Sequence, residues 1–187
     1  MSTSKYHHGD LRQSLIEAGA ILLRDEGVAG LTLRAASRAA GVSPTASYRH
    51  FADKNALLAA IADHGFGLLE ADLRAADTDP DHRVALCRQG VAYVEFAVAH
   101  PDLFRLMFSG VHAKRNMSAG PPARHGAFAV LADRVAQRVG PANAAAVTLA
   151  AWSIVHGLAA LIVEQRIAAP DPAALAARII SLLNLDG

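Results

Sequence analysis

The sequence predicts an all-α fold of about nine helices, with a small three-helix head over residues 1–52 and a helical bundle over residues 53–187. Three observations predict it. Alanine and leucine dominate while β-branched runs stay short. Apolar residues recur at helical spacing, and no period-2 strand survives inspection. Glycine and proline clusters cut the chain into segments of helical length. Apolar residues form 52% of the 187, too many for a disordered chain. The single cysteine, Cys87, excludes a disulfide framework and a cysteine-rich zinc module.

The elements follow in order. Asp10 caps a first helix, with Gln13 completing a capping box and Leu11, Leu15, Ala18, Leu22 and Leu23 forming its apolar stripe. Gly27 and Gly30 end it. Thr32 caps a short helix from Leu33 to Ala40, which Gly41 breaks. Ser43 caps the third helix, which has Pro44 in its first turn and runs to about Arg49. Asp53 caps a fourth, carrying Leu57, Leu58, Ile61 and Phe66 to about Ala75. Helices follow from about Asp81 to Ala99 and Asp102 to Phe108. Gly110, Gly120, Pro121 and Pro122 make residues 109–122 a mobile loop. Helices from Ala123 to Val139, Pro141 to Ile167 and Pro172 to Leu183 finish the chain.

Residues 32–51 set two short helices around a tight Gly41-Val42-Ser43 turn, the layout in which the second helix enters a DNA major groove. Ala36, Ala40, Val42 and Ala46 let the helices cross closely. Thr45 and Ser47 are expected to point outward and reach base edges. Tyr48, His50 and Lys54 are placed to hold phosphates, and the helix starts at Thr32 and Ser43 offer backbone N–H groups. From Leu31 to Lys54, Arg34, Arg38, Arg49 and Lys54 stand against Asp53 alone. That gives +3 in a chain whose net charge is +1, so the basic bias belongs to this segment. A helical hairpin with a solvated charged face is the bland alternative.

The run Leu31-Thr-Leu-Arg-Ala-Ala-Ser-Arg-Ala-Ala-Gly-Val-Ser-Pro-Thr-Ala-Ser-Tyr-Arg-His-Phe-Ala-Asp-Lys-Asn-Ala-Leu-Leu58 resembles the DNA-binding head of the tetracycline-repressor (TetR) family. Gly41-Val42-Ser43, Tyr48-x-His50-Phe51 and Lys54-x-x-Leu57 carry the resemblance, and Tyr6-His-His-Gly-Asp-Leu-Arg12 is similar to the start of such regulators. Further on, Ala151-Trp-Ser-Ile-Val-His-Gly-Leu-Ala159 is similar to the Trp-His-Gly region of one subgroup's C-terminal domain. The resemblance implies a homodimeric, ligand-responsive regulator, usually a repressor, acting on a palindromic operator. It implies that Thr32 touches phosphate, that Pro44, Thr45 and Ser47 face the groove, and that Tyr48, His50 and Lys54 grip the backbone. The third helix carries no outward Arg, Asn or Gln for bidentate reading of G or A, so Arg34 and Arg49 or DNA shape must supply specificity.

The helix from Pro141 to Ile167 is apolar on two faces. Leu149, Trp152, His156, Ala159 and Val163 form one stripe, and Val147, Ala151, Ile154, Leu158 and Leu161 the other. A helix in a small monomer needs one such stripe. The second stripe, with Leu175, Ile179, Leu182 and Leu183, predicts a four-helix seam between two copies, and Ala151, Ile154, Leu158, Leu161, Leu175, Ile179 and Leu182 are its candidate residues. Candidates for an effector pocket are Phe66, Leu69, Tyr93, Phe96, Phe104, Met107, Phe108, Phe128, Trp152 and His156, each also explicable as core.

Between Arg138 and Glu164 no charged residue occurs, which is long enough to span a bilayer. The alanine content and Asn143, Thr148, Ser153 and His156 argue instead for a helix buried on all sides by protein. The start lacks the apolar core of a signal peptide, and with the lone thiol this predicts a cytoplasmic protein without a membrane partner. No Gly-x-Ser-x-Gly, His-Glu-x-x-His or phosphate loop is present, and Gly65-Phe-Gly67 lacks a third glycine, so an enzyme is not expected. His100, His112, His125 and His156 fall at no metal-ligand spacing, which leaves a metal-responsive regulator as the minor alternative. No cofactor is called for. The expected partners are double-stranded DNA, an unidentified small-molecule effector and a second copy of the chain.

Overall fold

A computed structural model describes residues 8–109 and 126–182. Among them are nine helices and no strands, as the composition predicts: α1 His8–Gly30, α2 Leu33–Ala39, α3 Pro44–Tyr48, α4 Lys54–Ala76, α5 His82–Ala99, α6 Pro101–Met107, α7 Ala127–Val139, α8 Pro141–Val163 and α9 Pro172–Leu182. The chain divides into two compact units, which among the described residues are 8–65 with 102–109, and 66–101 with 126–182.

Local chemistry sets most helix starts. Asp53 Oδ1 accepts the Ala56 N–H at 2.8 Å, Asp81 Oδ1 that of Arg83 at 2.8 Å, and Asp171 Oδ1 that of Ala174 at 2.9 Å. The first start differs from expectation. The backbone is already helical at His8, two residues before Asp10, and Gln13 reaches forward to Glu17 at 2.9 Å rather than back to a cap. The Asp10 side chain itself lies outside the described residues. Inside α1 the helix breaks at Gly27, whose φ of 68° continues no right-handed turn. The third helix ends at Tyr48 and α6 spans Pro101–Met107, each within a residue or so of expectation. α7 begins at Ala127 rather than Ala123, after Gly126 at φ 90°. The expected loop over 109–122 lies outside the described residues beyond Ser109.

α8 stops at Val163, four residues short of the predicted Ile167. Gln165 adopts φ 55°, and the N–H groups of Gln165 and Arg166 return to the carbonyls of Ile162 at 2.9 Å and Leu161 at 2.8 Å. That Schellman pairing satisfies the last carbonyls and ends the helix.

In the first unit Leu15, Leu23, Leu31, Leu57 and Ile61 are fully buried, and Phe51, Leu103 and Met107 are buried too. Each buried leucine stabilises the unit by roughly 1.5–3 kcal/mol. In the second unit α5 is the central helix, packing on α7, α8 and α9. Leu86, Leu131 and Val135 form a core against Val139, Val147, Ala151 and Trp152. Arg134 of α7 joins that unit's loop by donating to Asp77 at 2.6 Å and lying 3.2 Å from His82 Nδ1.

Candidate nucleic-acid interface and sensor cavity

The α2–α3 pair is held by its own caps. Thr32 is extended, and its Oγ1 accepts the Ala35 N–H at 3.0 Å. Ser43 is extended too, and its Oγ accepts the Ala46 N–H at 3.3 Å. Between them Gly41 takes φ 69°, and the Val42 N–H returns to the Ser37 carbonyl at 2.9 Å. Only glycine enters that left-handed region without backbone strain. Ala36 is fully buried where the helices cross, and Ser37, also buried, donates to the Leu33 carbonyl at 2.7 Å, so its hydroxyl is satisfied.

Thr32, Arg34, Ser43, Pro44, Thr45, Tyr48 and Arg49 stand exposed on this unit, and His50 is half-buried. One expectation is corrected. Ser47 does not point outward: it is fully buried, and its Oγ donates to the Pro44 carbonyl at 2.8 Å. In a five-residue helix the face opposite Thr45 must pack inward, and Ser47 lies on it. Lys54 is half-buried, and its Nζ donates to the Val28 carbonyl at 2.6 Å, so it ties the start of α4 to the end of α1. Arg38, counted in the charge but not among the expected contacts, is exposed one helical turn after Arg34. Arg12 lies 5.3 Å over the Phe51 ring.

Within the second unit, a partly open cavity of about 40 Å³ is lined by α5, α7, α8 and α9 with Leu73 of α4. Of the expected pocket residues, Tyr93 and Trp152 line it, their rings edge-on at 5.0 Å. Phe128 does not line it, and its ring meets that of Trp152 at 5.4 Å. His156 Nδ1 lies 2.9 Å from the Tyr93 hydroxyl. Burial pushes the Tyr93 phenol far up and the His156 imidazole down, so both are neutral near pH 7. Phe66 is half-buried, and neither it nor the buried Leu69 and Phe96 lines the cavity. Phe104 and Met107 are core of the other unit, where Phe108 lies at the surface 5.0 Å from Phe104. None of these three lines that cavity. Sequence reasoning missed Gln89, which lines the cavity and is buried. The available signal was its position on α5, three residues after Leu86 and four before Tyr93, on the inward stripe.

The outer face of α8 differs from its predicted phase. Leu149, placed on the inner stripe, is 60% exposed, and Leu158, placed on the outer stripe, is buried. The exposed stripe runs through Ala146, Leu149, Ala150, Ser153 and Leu161. Ala151, Ile154, Leu175 and Ile179 are half-buried, and Leu182 is 74% exposed. Burial on all sides is therefore not met within one chain: Ala142–Val163 is long and apolar enough to cross a membrane, and 28% of its apolar window is buried. Among the described residues no three His, Cys, Asp or Glu side chains are grouped to hold a metal, and His112 and His125 lie outside them.

Residues 15–61 match the family described as bacterial regulatory proteins, tetR family, and residues 84–183 match the tetracyclin repressor-like C-terminal domain. The uncharacterized HTH-type transcriptional regulator YobS of Bacillus subtilis (strain 168) is 29% identical over 107 residues, 57% of this chain and 56% of that protein. The chain thus matches about half the length of that curated relative. A protein of unknown function from Rhodococcus sp. RHA1 has a similar structure, with TM-score 0.74 at 29% identity over 96% of both chains. A bacterial regulatory protein in the tetR family from Rhodococcus RHA1 has TM-score 0.60 at 23% identity, over 96% of this chain and 95% of that one, and shows likeness of fold.

Proposed function

The chain belongs to the tetracycline-repressor family of DNA-binding transcriptional regulators, and from that premise we propose that it is a repressor that holds a palindromic operator as a homodimer and releases it when a small molecule enters the body. Members of the family are regulators rather than enzymes. In this reading residues 1–52 hold DNA and residues 53–187 pair and sense, and the protein works in the cytoplasm beside its DNA.

The observation that supports the reading most is the capped α2–turn–α3 pair, with Pro44, Thr45 and Tyr48 exposed on α3 and Arg34, Arg38 and Arg49 exposed around it. Thr45 contacts a base edge or a thymine methyl, the arginines and Tyr48 hold phosphates, and DNA shape supplies the remaining discrimination. The exposed stripe of α8 with Leu182 of α9 forms the dimer seam, which sets two heads on one palindrome. A body of the Trp-His-Gly type belongs to the same reading, supported by Trp152 at the cavity wall and His156 against Tyr93 on one helix.

Fluorescence anisotropy with duplexes from the gene's own upstream region tests it. Binding is expected to weaken with salt at a slope of roughly −9, if each of two subunits contacts about five phosphates. Arg34→Ala with Arg49→Ala is expected to weaken all duplexes alike, while Thr45→Ala changes the preferred sequence. Equal affinity for upstream and random duplex at every salt concentration would remove the regulator reading.

A further inference from the structure

Gln89 stands in the middle of α5 and is 2% exposed. Its Nε2 and its Oε1 are both buried, and neither has a hydrogen-bond partner among the described residues. A carboxamide can donate two hydrogen bonds and accept two, and buried polar groups in folded proteins are nearly always paired. An unsatisfied buried amide is a cost that packing does not explain. The same side chain lines the cavity, otherwise walled by Leu73, Leu86, Leu131, Val155 and Ile180 with the rings of Tyr93 and Trp152. The Tyr93 hydroxyl is already engaged with His156. Gln89 therefore carries the open hydrogen-bonding capacity of an otherwise apolar chamber.

We propose that this cavity receives a small uncharged ligand, or the end of one, that bears a hydrogen-bond donor and acceptor side by side, the primary-amide or lactam class, and pairs edge to edge with Gln89. The inference rests on the reading of the body as a sensor, and names the chemistry of what it senses. Three observations fix that class. Among the described residues no Asp, Glu, Lys, Arg or His lines the cavity, so an ionised ligand would be buried there without a counter-charge. Gln89 offers one donor edge and one acceptor edge, which an amide or lactam matches with two parallel bonds while a ketone matches one. The volume of about 40 Å³ equals space for about three waters, the size of an amide group with a short apolar tail. Gly90 keeps the chamber compact: a Cβ there would clash with Ile180 Cδ1, so α5 and α9 meet at that point and Ile180 closes the wall.

The chain has one tryptophan, Trp152, and it lines the cavity, so its emission reports occupancy directly. The full-length protein is titrated with propionamide and with butan-2-one, which match in shape and differ in the N–H donors, while Trp152 fluorescence and the unfolding temperature are followed. Propionamide is expected to bind at least about tenfold more tightly than butan-2-one, since a ketone leaves one edge of Gln89 unpaired. Gln89→Leu is expected to erase that preference and to raise the unfolding temperature of the empty protein, because it removes an unsatisfied amide at nearly constant volume. Gln89→Met serves the same purpose should the branched side chain disturb packing. The proposal is overturned if the two probes bind equally, if neither binds and the cavity holds only water, or if Gln89→Leu keeps the preference. Operator anisotropy on the same samples separates the two claims. Loss of amide preference with DNA binding intact concerns the cavity, and loss of DNA binding in the wild type concerns the regulator reading.

Discussion

Leu149 and Leu158 lie on one helix, nine residues apart, and truncating each is expected to damage a different equilibrium. Leu158 is buried within its own chain. Leu158→Ala therefore creates a cavity and lowers folding stability by about 2–5 kcal/mol. Leu149 is 60% exposed, and in an isolated chain Leu149→Ala changes stability by no more than about 0.5 kcal/mol. At the proposed seam the sum differs. Burying a whole leucine is worth roughly 1.5–3 kcal/mol, so covering the exposed part of Leu149 gives about 1–2 kcal/mol per copy. A two-fold interface uses the residue twice, for about 2–4 kcal/mol in all. At 1.4 kcal/mol per factor of ten, Leu149→Ala weakens dimerisation by roughly 30- to 700-fold. Sedimentation equilibrium over a concentration series reads the dimer constant, and denaturant unfolding of the monomeric fraction reads the fold. An unchanged dimer constant in Leu149→Ala would refute the seam, and so would a Leu158→Ala protein that dissociates while keeping full monomer stability.

Three further outcomes follow from the geometry. Gly41→Ala is expected to cost about 1–2 kcal/mol in urea unfolding, all of it backbone strain, because an added Cβ meets nothing within 4 Å, and Gly41→Asn is expected to cost less. Arg134→Met breaks the pair with Asp77, whose side chains are 12% and 23% exposed, and is expected to lower the unfolding free energy by about 1–3 kcal/mol, with the Asp77→Ala/Arg134→Met double variant costing less than the two singles together. His156 has its folded pKa below the ordinary value of about 6.5, so the unfolded chain protonates first as pH falls. Its contribution is complete above about pH 6.5 and is lost below it; thermal midpoints of His156→Gln are expected to fall less between pH 7.5 and 5.5 than those of the wild type.

What could be read from sequence was chemistry that acts within four residues. Thr32, Ser43 and Asp53 announce themselves as caps because their side chains bond the next turn, and Gly41 as a break because glycine takes a φ of 69° without strain. What could not be read was the phase of short or uniformly apolar helices. The five residues of α3 give too little period to tell whether Thr45 or Ser47 faces out. α8 is apolar on every side, so the pattern could not say that Leu158 belongs inside and Leu149 outside. The contact of Lys54 with the Val28 carbonyl is not legible for a different reason: the two lie 26 residues apart in sequence. Gln89, a polar residue beside Arg88, has the sequence pattern of a wetted face, although Leu86 and Tyr93 mark its stripe as the interior one.

The length and greasiness of Ala142–Val163 have a consequence during synthesis. A nascent copy emerging alone displays a segment that meets the size and composition by which the export machinery sorts bilayer-bound chains. The alanine content and the scattered Asn143, Thr148, Ser153 and His156 weigh against that fate. At the proposed seam, pairing covers Leu149 and Leu161 and takes that apolar surface out of water.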